Sequence, residues 1–556
     1  MSGGPARRAL TGALLLLIAL IWFANLDARS LIRPDEGRYA EIAREMAVTG
    51  DWVTPRLNGL KYFEKPPLQY WATAAAYRVF GLHEWTARLW AALCGALTLV
   101  VVWQSGRRQF GATAGDIAGL VATGSLWMVA NAHLNTLDMG LTFWLTAGVA
   151  AFLQAQGAGL PPQRRRRWMA LAWLACAGAV LSKGLVGLVL PGGAIAGYLL
   201  ATRDRDLLAR LHLPTGLAIV LAVCAPWFVA VSIANPEFPD FFFVREHFQR
   251  YLTPVHRRSE SAWYFLPLLA AGALPWTVAA AQALWRPWRR DRADAFRPRL
   301  FLMCWCAFTF LFFSASSSKL PSYILPIFPA LAWLVGDRLA GQSARPLTWQ
   351  ALPLVPLGLV AIALGIRAER YANERTPAIL YQAYEPWIIA AAVTLVMAAV
   401  ATIAWSRRER LLPAVASLSV GGLVAWQLVL TGHDALSPSF SAAHFAHEVR
   451  PALRGDCPLY SVRTYDQTLP VYLERTMTLV AFADEMAFGL EREPARGIPD
   501  FERFVQRWRE PTCAFAFMET ATLDEFRTAG LPFQVVGQDT RRVMVSRLPL
   551  ATGSRR

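Results

Sequence analysis

The chain has 556 residues, of which 55% are hydrophobic and only 17% are charged. A soluble chain of this length folds as several domains that carry more charge, so an ordinary soluble protein is excluded. The formal net charge of +16 does not indicate nucleic-acid binding, because only four of the 55 basic residues are lysines and the arginines cluster between apolar segments. That distribution is typical of membrane topology.

Apolar segments long enough to cross a bilayer recur along the chain. The first follows Arg7 and Arg8, and we interpret it as a retained span because it is long and no small-residue cleavage site follows it. We predict about 13 transmembrane helices, at 9–26, 86–104, 112–131, 137–156, 168–182, 184–202, 213–233, 262–285, 299–315, 321–340, 348–366, 387–405 and 411–431.

Arginine clusters lie in every second connection between these segments, from Arg107–Arg108 to Arg407–Arg410. If the N-terminus is cytoplasmic, every inside loop is basic, as the positive-inside rule requires. An odd number of spans then places the C-terminal part outside. The sequence therefore predicts a polytopic α-helical membrane domain at 1–434 and a soluble outside domain at 435–556.

The outside segments have structure of their own. The first, 27–85, is too long for a simple connection, and its residues 39–46 show helical spacing with one apolar face. This pattern predicts a short interfacial helix on the membrane surface. The C-terminal part alternates short apolar runs with helical patterns, which predicts a small α/β domain. Its two cysteines, Cys457 and Cys513, form a disulfide if that compartment is oxidising.

Chemistry-bearing residues concentrate in the outside loops. All four lysines lie there or at the loop edges, where phosphate is a suitable partner for an ammonium group, although a lysine also snorkels to headgroups. Asp35 and Glu36 follow the first span, where adjacent carboxylates bind substrate or metal or pair with a neighbouring arginine. Asp138 opens the fourth span and is either a site residue or a helix cap.

Four motifs carry a resemblance: Pro34–Tyr39, Tyr62–Trp71, Leu137–Asp138 and Ser318–Pro326. They resemble those of membrane-embedded, C-type (GT-C) glycosyltransferases, above all the 4-amino-4-deoxy-L-arabinose transferases of lipid A, which are similar to protein O-mannosyltransferases. The resemblance implies transfer of that sugar from undecaprenyl phosphate to a lipid A phosphate, with inversion. The place implied is the periplasmic face of the Gram-negative inner membrane, and a monomer is expected.

The resemblance also implies residue roles. The expected catalytic carboxylates are Asp35, Glu64 and Asp138. The residues expected to bind phosphate and donor lipid are Lys65, Arg250, Lys319 and Tyr323. The residues expected to orient the substrate are Glu36, Arg38 and Tyr62. No cofactor is required, although Glu64 and His247 form a thin signature for a divalent metal such as Zn, Mg or Mn.

Two other functions stay open. The first alternative is a transferase with the same chemistry whose acceptor is a protein hydroxyl or another glycan. The second, from another class of protein, is a lipid or sugar transporter. A transporter favours internal repeats and charged or broken helices near mid-membrane, whereas the charged groups here gather at one face. An ATP-driven pump is disfavoured, because no Gly-rich phosphate loop with Lys-Ser/Thr is present.

Overall fold

A computed structural model describes residues 5–249, 260–285, 296–510 and 512–547. The first four-fifths of the chain is a helix bundle. Its helices outside the first loop are Pro5–Phe23, Glu84–Phe110, Ala112–Gly124, Leu126–Ala132, Leu137–Ala155, Pro162–Lys183, Val186–Thr202, Asp206–Arg210, Leu213–Ala234, Phe265–Gly272, Thr277–Trp285, Pro298–Ala315, Ile327–Ala340, Pro346–Ala351, Leu354–Gly365, Ala378–Arg407 and Leu411–Gly432.

The chain is a multi-pass membrane protein. Within the described ranges, eight helices are long and apolar enough to cross a membrane, or up to ten if each of two bent pairs is one span. The three other predicted segments coincide with Pro5–Phe23, Pro162–Lys183 and Val186–Thr202. The second of these begins with an arginine cluster, and the third has 17 residues. The number thirteen therefore stays a prediction.

Two predicted spans are bent pairs of helices. The predicted span 262–285 is Phe265–Gly272 followed by Thr277–Trp285, at 117° to each other. Pro275 accounts for this break, since proline has no N–H and disfavours the helical conformation of the residue before it. The predicted span 112–131 bends by 61° at Ser125. The two breaks meet, because the Leu126 amide donates to the Leu274 carbonyl at 2.9 Å.

The first outside loop forms the helix Asp35–Thr49, a hairpin of β1 (Arg56–Leu57) and β2 (Leu60–Lys61), and the helix Leu68–Phe80. The predicted helix exists, and most of it is buried in protein. Every residue from Glu36 to Met46 is buried, including its charged side chains. The helix contacts both neighbours: Glu36 pairs with Arg88 of the bundle, and Ile42 packs in a cluster that includes Leu469 of the C-terminal part.

The C-terminal part has a six-stranded mixed sheet together with helices, which confirms the predicted small α/β domain. Its strands are β3 (Leu459–Val462), β4 (Thr478–Val480), β5 (Gly497–Ile498), β6 (Phe515–Glu519), β7 (Gln534–Gln538) and β8 (Arg542–Ser546). The order is β5-β4-β3-β6-β8-β7, with β5, β4, β3 and β6 parallel and β8 antiparallel to both neighbours. Its helices are Ser437–Phe440, Ala443–Val449, Leu469–Leu473, Ala487–Arg492, Phe501–Arg509 and Thr520–Thr528.

Cys457 and Cys513 form a disulfide in the structure. Cys457 lies just before β3, and Cys513 lies just before the adjacent parallel strand β6. The bond therefore joins the starts of two central strands.

The C-terminal part packs directly on the first outside loop. One apolar cluster combines Tyr39 and Ile42 of the loop helix with Leu469 and Met486. A Cβ at Gly37 would lie 2.6 Å from the Gln467 carbonyl oxygen, so this position requires glycine. The loop helix thus lies between the bundle and the C-terminal sheet. The parts of the chain on either side of the predicted boundary at residue 434 are therefore in direct contact.

Candidate active site

Arg38 lies between two carboxylates from opposite ends of the chain. Its Nη1 is 2.7 Å from Asp35 Oδ1, one turn earlier on the same helix, and its Nη2 is 2.5 Å from Glu485 Oε2. The Asp35 side chain is 40% exposed, whereas those of Arg38 and Glu485 are at most 10% exposed. Asp35 is therefore the carboxylate of this group that is open to a bound molecule.

Burial and neighbouring groups together determine the pKa values in this group. Burial lowers the pKa of Arg38, but Tyr62 and Glu485 outweigh it and hold that pKa well above its ordinary value. Burial raises the pKa of Glu485, and Arg38 offsets this only in part. Arg38 is consequently a permanent cation, held at a fixed place beside the exposed Asp35.

Two tyrosines add neutral hydroxyl donors to the group of Asp35, Arg38 and Glu485. The hydroxyls of Tyr62 and Tyr70 are buried and have no hydrogen-bond partner within the described part of the chain. Burial, followed by the Glu64 carboxylate, raises the pKa of both phenols. A buried hydroxyl without a partner is costly. Both tyrosines therefore suit a ligand with hydroxyl or amino groups.

Glu36 is bound entirely by protein groups. Its carboxylate accepts two bonds from Arg88, at 2.8 and 3.0 Å, one from Arg29 at 3.3 Å and backbone bonds from Ile32 and Asn135. Burial raises its pKa, but Arg88 and Arg29 outweigh burial and lower it to about 2. With all its acceptor sites occupied, Glu36 fixes the loop against the bundle. We therefore replace its predicted substrate contact by a positioning role.

Asp138 takes part in a second group, formed by three segments of the bundle. Its carboxylate pairs with the Lys183 ammonium, which in turn lies 4.6 Å from the centre of the Tyr323 ring. The helix Leu137–Ala155 is capped at Thr136, so Asp138 lies inside its first turn and is not the cap. The Lys183 cation is therefore held between a carboxylate and an aromatic face.

Lys65 has a carboxylate partner that the sequence did not suggest. Its Nζ donates to the Glu64 carbonyl at 2.7 Å and to Glu246 Oε2 at 3.4 Å. Glu246 lies in the π-helix Asp240–Gln249. A phosphate at Lys65 must therefore compete with Glu246, and the predicted donor-binding role stays a prediction.

Lys319 differs from the other lysines in its partners. Its Nζ donates to the backbone carbonyls of Ser316 and Glu260, at 2.8 and 2.9 Å. No carboxylate of the described ranges pairs with it, and its side chain is nearly buried. Its charge is thus solvated by carbonyls but not neutralised, which suits an anionic ligand.

The predicted metal site is not completed by the described residues. Arg250 and the side chain of His247 lie outside them. Glu64 is 4.0 Å from the Lys65 ammonium, which disfavours a second cation there. In the described ranges, the only close group of three ligand side chains is Asp456 with the disulfide-bonded Cys457 and Cys513. We assign no step to a metal.

Comparison with known proteins shows the family to which the chain belongs. The family model for the aminoarabinose transferase C-terminal domain matches residues 445–547, and that for dolichyl-phosphate-mannose-protein mannosyltransferase matches residues 64–229. A Pseudomonas paraeruginosa protein, an undecaprenyl phosphate-α-4-amino-4-deoxy-L-arabinose arabinosyl transferase, is 33% identical over 69% of this chain and 69% of its own length. The chain belongs to this transferase family.

Two further members extend the likeness. The Erwinia tasmaniensis transferase of the same name is 34% identical over 351 residues, which span 62% of this chain and 63% of that protein's length. The crystal structure of ArnT from Cupriavidus metallidurans bound to undecaprenyl phosphate is 39% identical, with a TM-score of 0.93 over 98% of this chain and 99% of that one. The aminoarabinose transferase fold, a GT-C bundle with a C-terminal sheet, is therefore present from end to end.

Three residues of this family member were missed by sequence reasoning. Lys183 had a signal, because it is one of only four lysines, but its Leu181–Gly184 surroundings matched no motif. Glu246 and Glu485 had none, since each lies in an ordinary-looking segment and reaches Lys65 or Arg38 only through the fold. In the structure Asp35 pairs with Arg38 and Asp138 pairs with Lys183, so each of these two predicted carboxylates lies beside a cation.

Proposed function

We propose that this chain transfers 4-amino-4-deoxy-L-arabinose from undecaprenyl phosphate to a phosphate of lipid A. One observation carries the proposal: the likeness to the Cupriavidus metallidurans protein with undecaprenyl phosphate bound extends over 98% of the chain at 39% identity. That range includes the Asp35–Arg38–Glu485 group and the Asp138–Lys183 pair. The names of the matched relatives supply the sugar and its carrier.

The residue types suit an aminosugar on a phosphate. Asp35 is exposed beside Arg38 and is suited to pair with the sugar's ammonium, while the Tyr62 and Tyr70 hydroxyls are suited to its hydroxyls. Asp138 and Lys183 offer a carboxylate and an ammonium together. Lys319, which has no carboxylate partner among the described residues, and Lys65 are the proposed cations for the carrier phosphate.

The bond changes need no strong base. A lipid A phosphate oxygen attacks the anomeric carbon as the bond from that carbon to the carrier phosphate oxygen breaks, and the electron pair leaves with undecaprenyl phosphate. Direct displacement inverts the anomeric centre. One phosphate dianion becomes a diester and one diester becomes a dianion, so no net proton moves. The transition state has oxocarbenium character, which nearby carboxylates such as Asp35 and Asp138 stabilise.

We also propose an orientation. The arginine clusters support a cytoplasmic N-terminus and a periplasmic C-terminal part in the inner membrane of a Gram-negative bacterium. The disulfide supports an oxidising compartment for residues 457–513. The proposed reaction therefore takes place at the periplasmic face.

The experiment is mass spectrometry of lipid A from a deletion strain that carries the wild-type gene, an Asp35→Asn variant or an empty vector. We expect the aminoarabinose mass increment with the wild type only, with the variant present in the membrane at wild-type level. Identical lipid A in all three strains would reject the proposal.

A second acceptor is favoured by the mannosyltransferase match over residues 64–229. Transfer to a serine or threonine hydroxyl would need a general base, unlike transfer to phosphate. The same strains distinguish the two, because unchanged lipid A together with altered protein glycans would indicate a hydroxyl acceptor. A transporter would leave the purified protein without transfer activity when donor and acceptor are supplied.

A further inference from the structure

Four arginines from separate parts of the chain are tied to the three residues 438–440. The ties are hydrogen bonds to backbone or side-chain atoms of Pro438, Ser439 and Phe440. They join Arg33 N to Phe440 O (2.9 Å), Ser439 Oγ to Arg375 O (2.7 Å), Arg541 Nη1 to Ser439 O (2.8 Å) and Arg542 Nη1 to Pro438 O (2.9 Å).

One of the four is neutralised by the protein. Arg542 pairs with Asp466 at 2.9 Å and with Asp539 at 3.0 Å, and its side chain is almost fully buried. It accordingly fixes the start of β8 against residues 438–440.

The other three, which we call the arginine triad (Arg33, Arg375 and Arg541), have no ion pair within the described ranges. The Nε of Arg33 is buried without a hydrogen-bond partner there. Glu519 acts electrostatically on Arg33 and Arg541, but it forms an ion pair with neither in the described ranges. The triad therefore carries excess positive charge.

The three side chains also interact electrostatically, through Arg33. Burial lowers the pKa of Arg541, and Arg33 lowers it further. Burial likewise lowers the pKa of Arg33; Asp466 opposes this effect, and Arg542 and Arg375 add to it. All remain cations at neutral pH, because the ordinary pKa of arginine is above 12. Holding like charges together is unfavourable unless an anion binds between them.

The position of the triad indicates what that anion is. Arg33 lies between the first span and Asp35, and Arg375 lies between the helices Leu354–Gly365 and Ala378–Arg407. Both links are on the outside in the proposed orientation, where the positive-inside rule disfavours arginine. Arg33 lies ten residues after the helix Pro5–Phe23 ends, and Arg375 lies ten residues after Leu354–Gly365 and three before Ala378–Arg407, so both links adjoin predicted spans.

We propose that the arginine triad binds a phosphate carried by a lipid of the outer leaflet. This inference rests on the proposed function, for which the natural ligand is the second phosphate of a diphosphorylated acceptor whose first phosphate receives the sugar. Guanidinium groups bind phosphate through paired, charge-assisted hydrogen bonds. Bulk anionic phospholipid carries the same group, so the experiment separates the two sources.

The test is a binding titration of the purified full-length chain in phosphatidylcholine mixed micelles, without donor. The probes are diphosphorylated lipid A, lipid A lacking either phosphate, and phosphatidylglycerol. The variants are Arg375→Gln and Arg541→Gln. Arg370→Gln is the matched control, an exposed arginine in the same link with no ion pair in the described ranges.

We expect each triad variant to weaken the binding of diphosphorylated lipid A about tenfold, the loss of one charge-assisted contact. Arg370→Gln should bind as the wild type does. A loss confined to diphosphorylated lipid A assigns the acceptor's second phosphate, and an equal loss with phosphatidylglycerol assigns bulk phospholipid. Wild-type binding of every probe by both triad variants would overturn the proposal. Because no donor is used, a failure of sugar transfer does not affect the result.

Discussion

The Arg38 guanidinium lies 2.5 Å from the Glu485 carboxylate, which pairs the first outside loop with the C-terminal part of the chain. The same guanidinium holds Asp35 at 2.7 Å. A residue that follows β4 in the C-terminal sheet therefore helps to set the direction of the exposed carboxylate in the candidate active site. The C-terminal part belongs to the site and is not merely attached beside it.

Substitution of Glu485 by Gln should reduce transfer about tenfold or more, because Arg38 loses one of its two charged partners and Asp35 loses its fixed orientation. Glu491→Gln, an exposed carboxylate on the following helix, is the control. Steady-state kinetics with purified protein would measure both. Equal rates for the two variants would show that the Arg38–Glu485 pair does not serve transfer.

The adjacent carboxylates Asp35 and Glu36 should respond differently when each is replaced by its amide. Glu36→Gln weakens the buried pairs with Arg88 and Arg29, a class of change that costs about 3–5 kcal/mol, so the variant should lose thermal stability and membrane abundance. Asp35→Asn should keep the stability and lose transfer. Thermal unfolding in detergent and an activity assay distinguish them, and an Asp35→Asn protein that unfolds like Glu36→Gln would contradict these roles.

Glu45 predicts a pH dependence of stability. Burial, with Glu41 close by, raises the pKa of Glu45 to about 8. The folded state therefore holds a proton that the unfolded state releases near pH 4.5, and stability falls as pH rises between these values, by up to about 1.4 kcal/mol per pH unit.

Glu45→Gln should remove that dependence. Its amide oxygen still accepts from the Gly59 amide, which lies 2.8 Å from Glu45 Oε2. The variant should melt several degrees above the wild type at pH 8 and at nearly the same temperature at pH 5. Thermal unfolding in detergent at both values is the measurement, and a difference that does not vary with pH would refute the assignment.

Lys183→Met should lower transfer by about a hundredfold, since a charge that contacts both Asp138 and the Tyr323 ring is lost at the proposed site. Lys61→Met also breaks an ion pair, with Glu237 at 2.6 Å, and should leave the rate within about threefold. A double variant with Asp138→Asn should be little worse than Lys183→Met alone, because both act as one unit. Additive losses would indicate independent roles.

Loss of the disulfide should destabilise the C-terminal part. Cys457→Ser should cost about 2–5 kcal/mol, as removal of a native disulfide usually does. Maleimide labelling of the wild type after denaturation, with and without prior reduction, should give two additional reactive thiols only after reduction. Two such thiols before reduction would contradict the periplasmic placement.

The sequence by itself determined the membrane class, the helical segments and the candidate residues Asp35, Arg38 and Asp138. Span length, arginine distribution and local motifs are properties of neighbouring residues, so they can be read without a fold. The same local information predicted a small α/β domain in the C-terminal part.

Only the tertiary structure decided which partner each charged side chain has. Asp35 and Glu36 were both expected to act on the substrate, yet Glu36 is bound by Arg88 and Arg29 whereas Asp35 is exposed. Glu485 joined the site because the C-terminal sheet packs on the loop helix, and the arginine triad exists because residues 438–440 gather distant segments. Such pairings depend on distances between parts of the chain that no local pattern encodes.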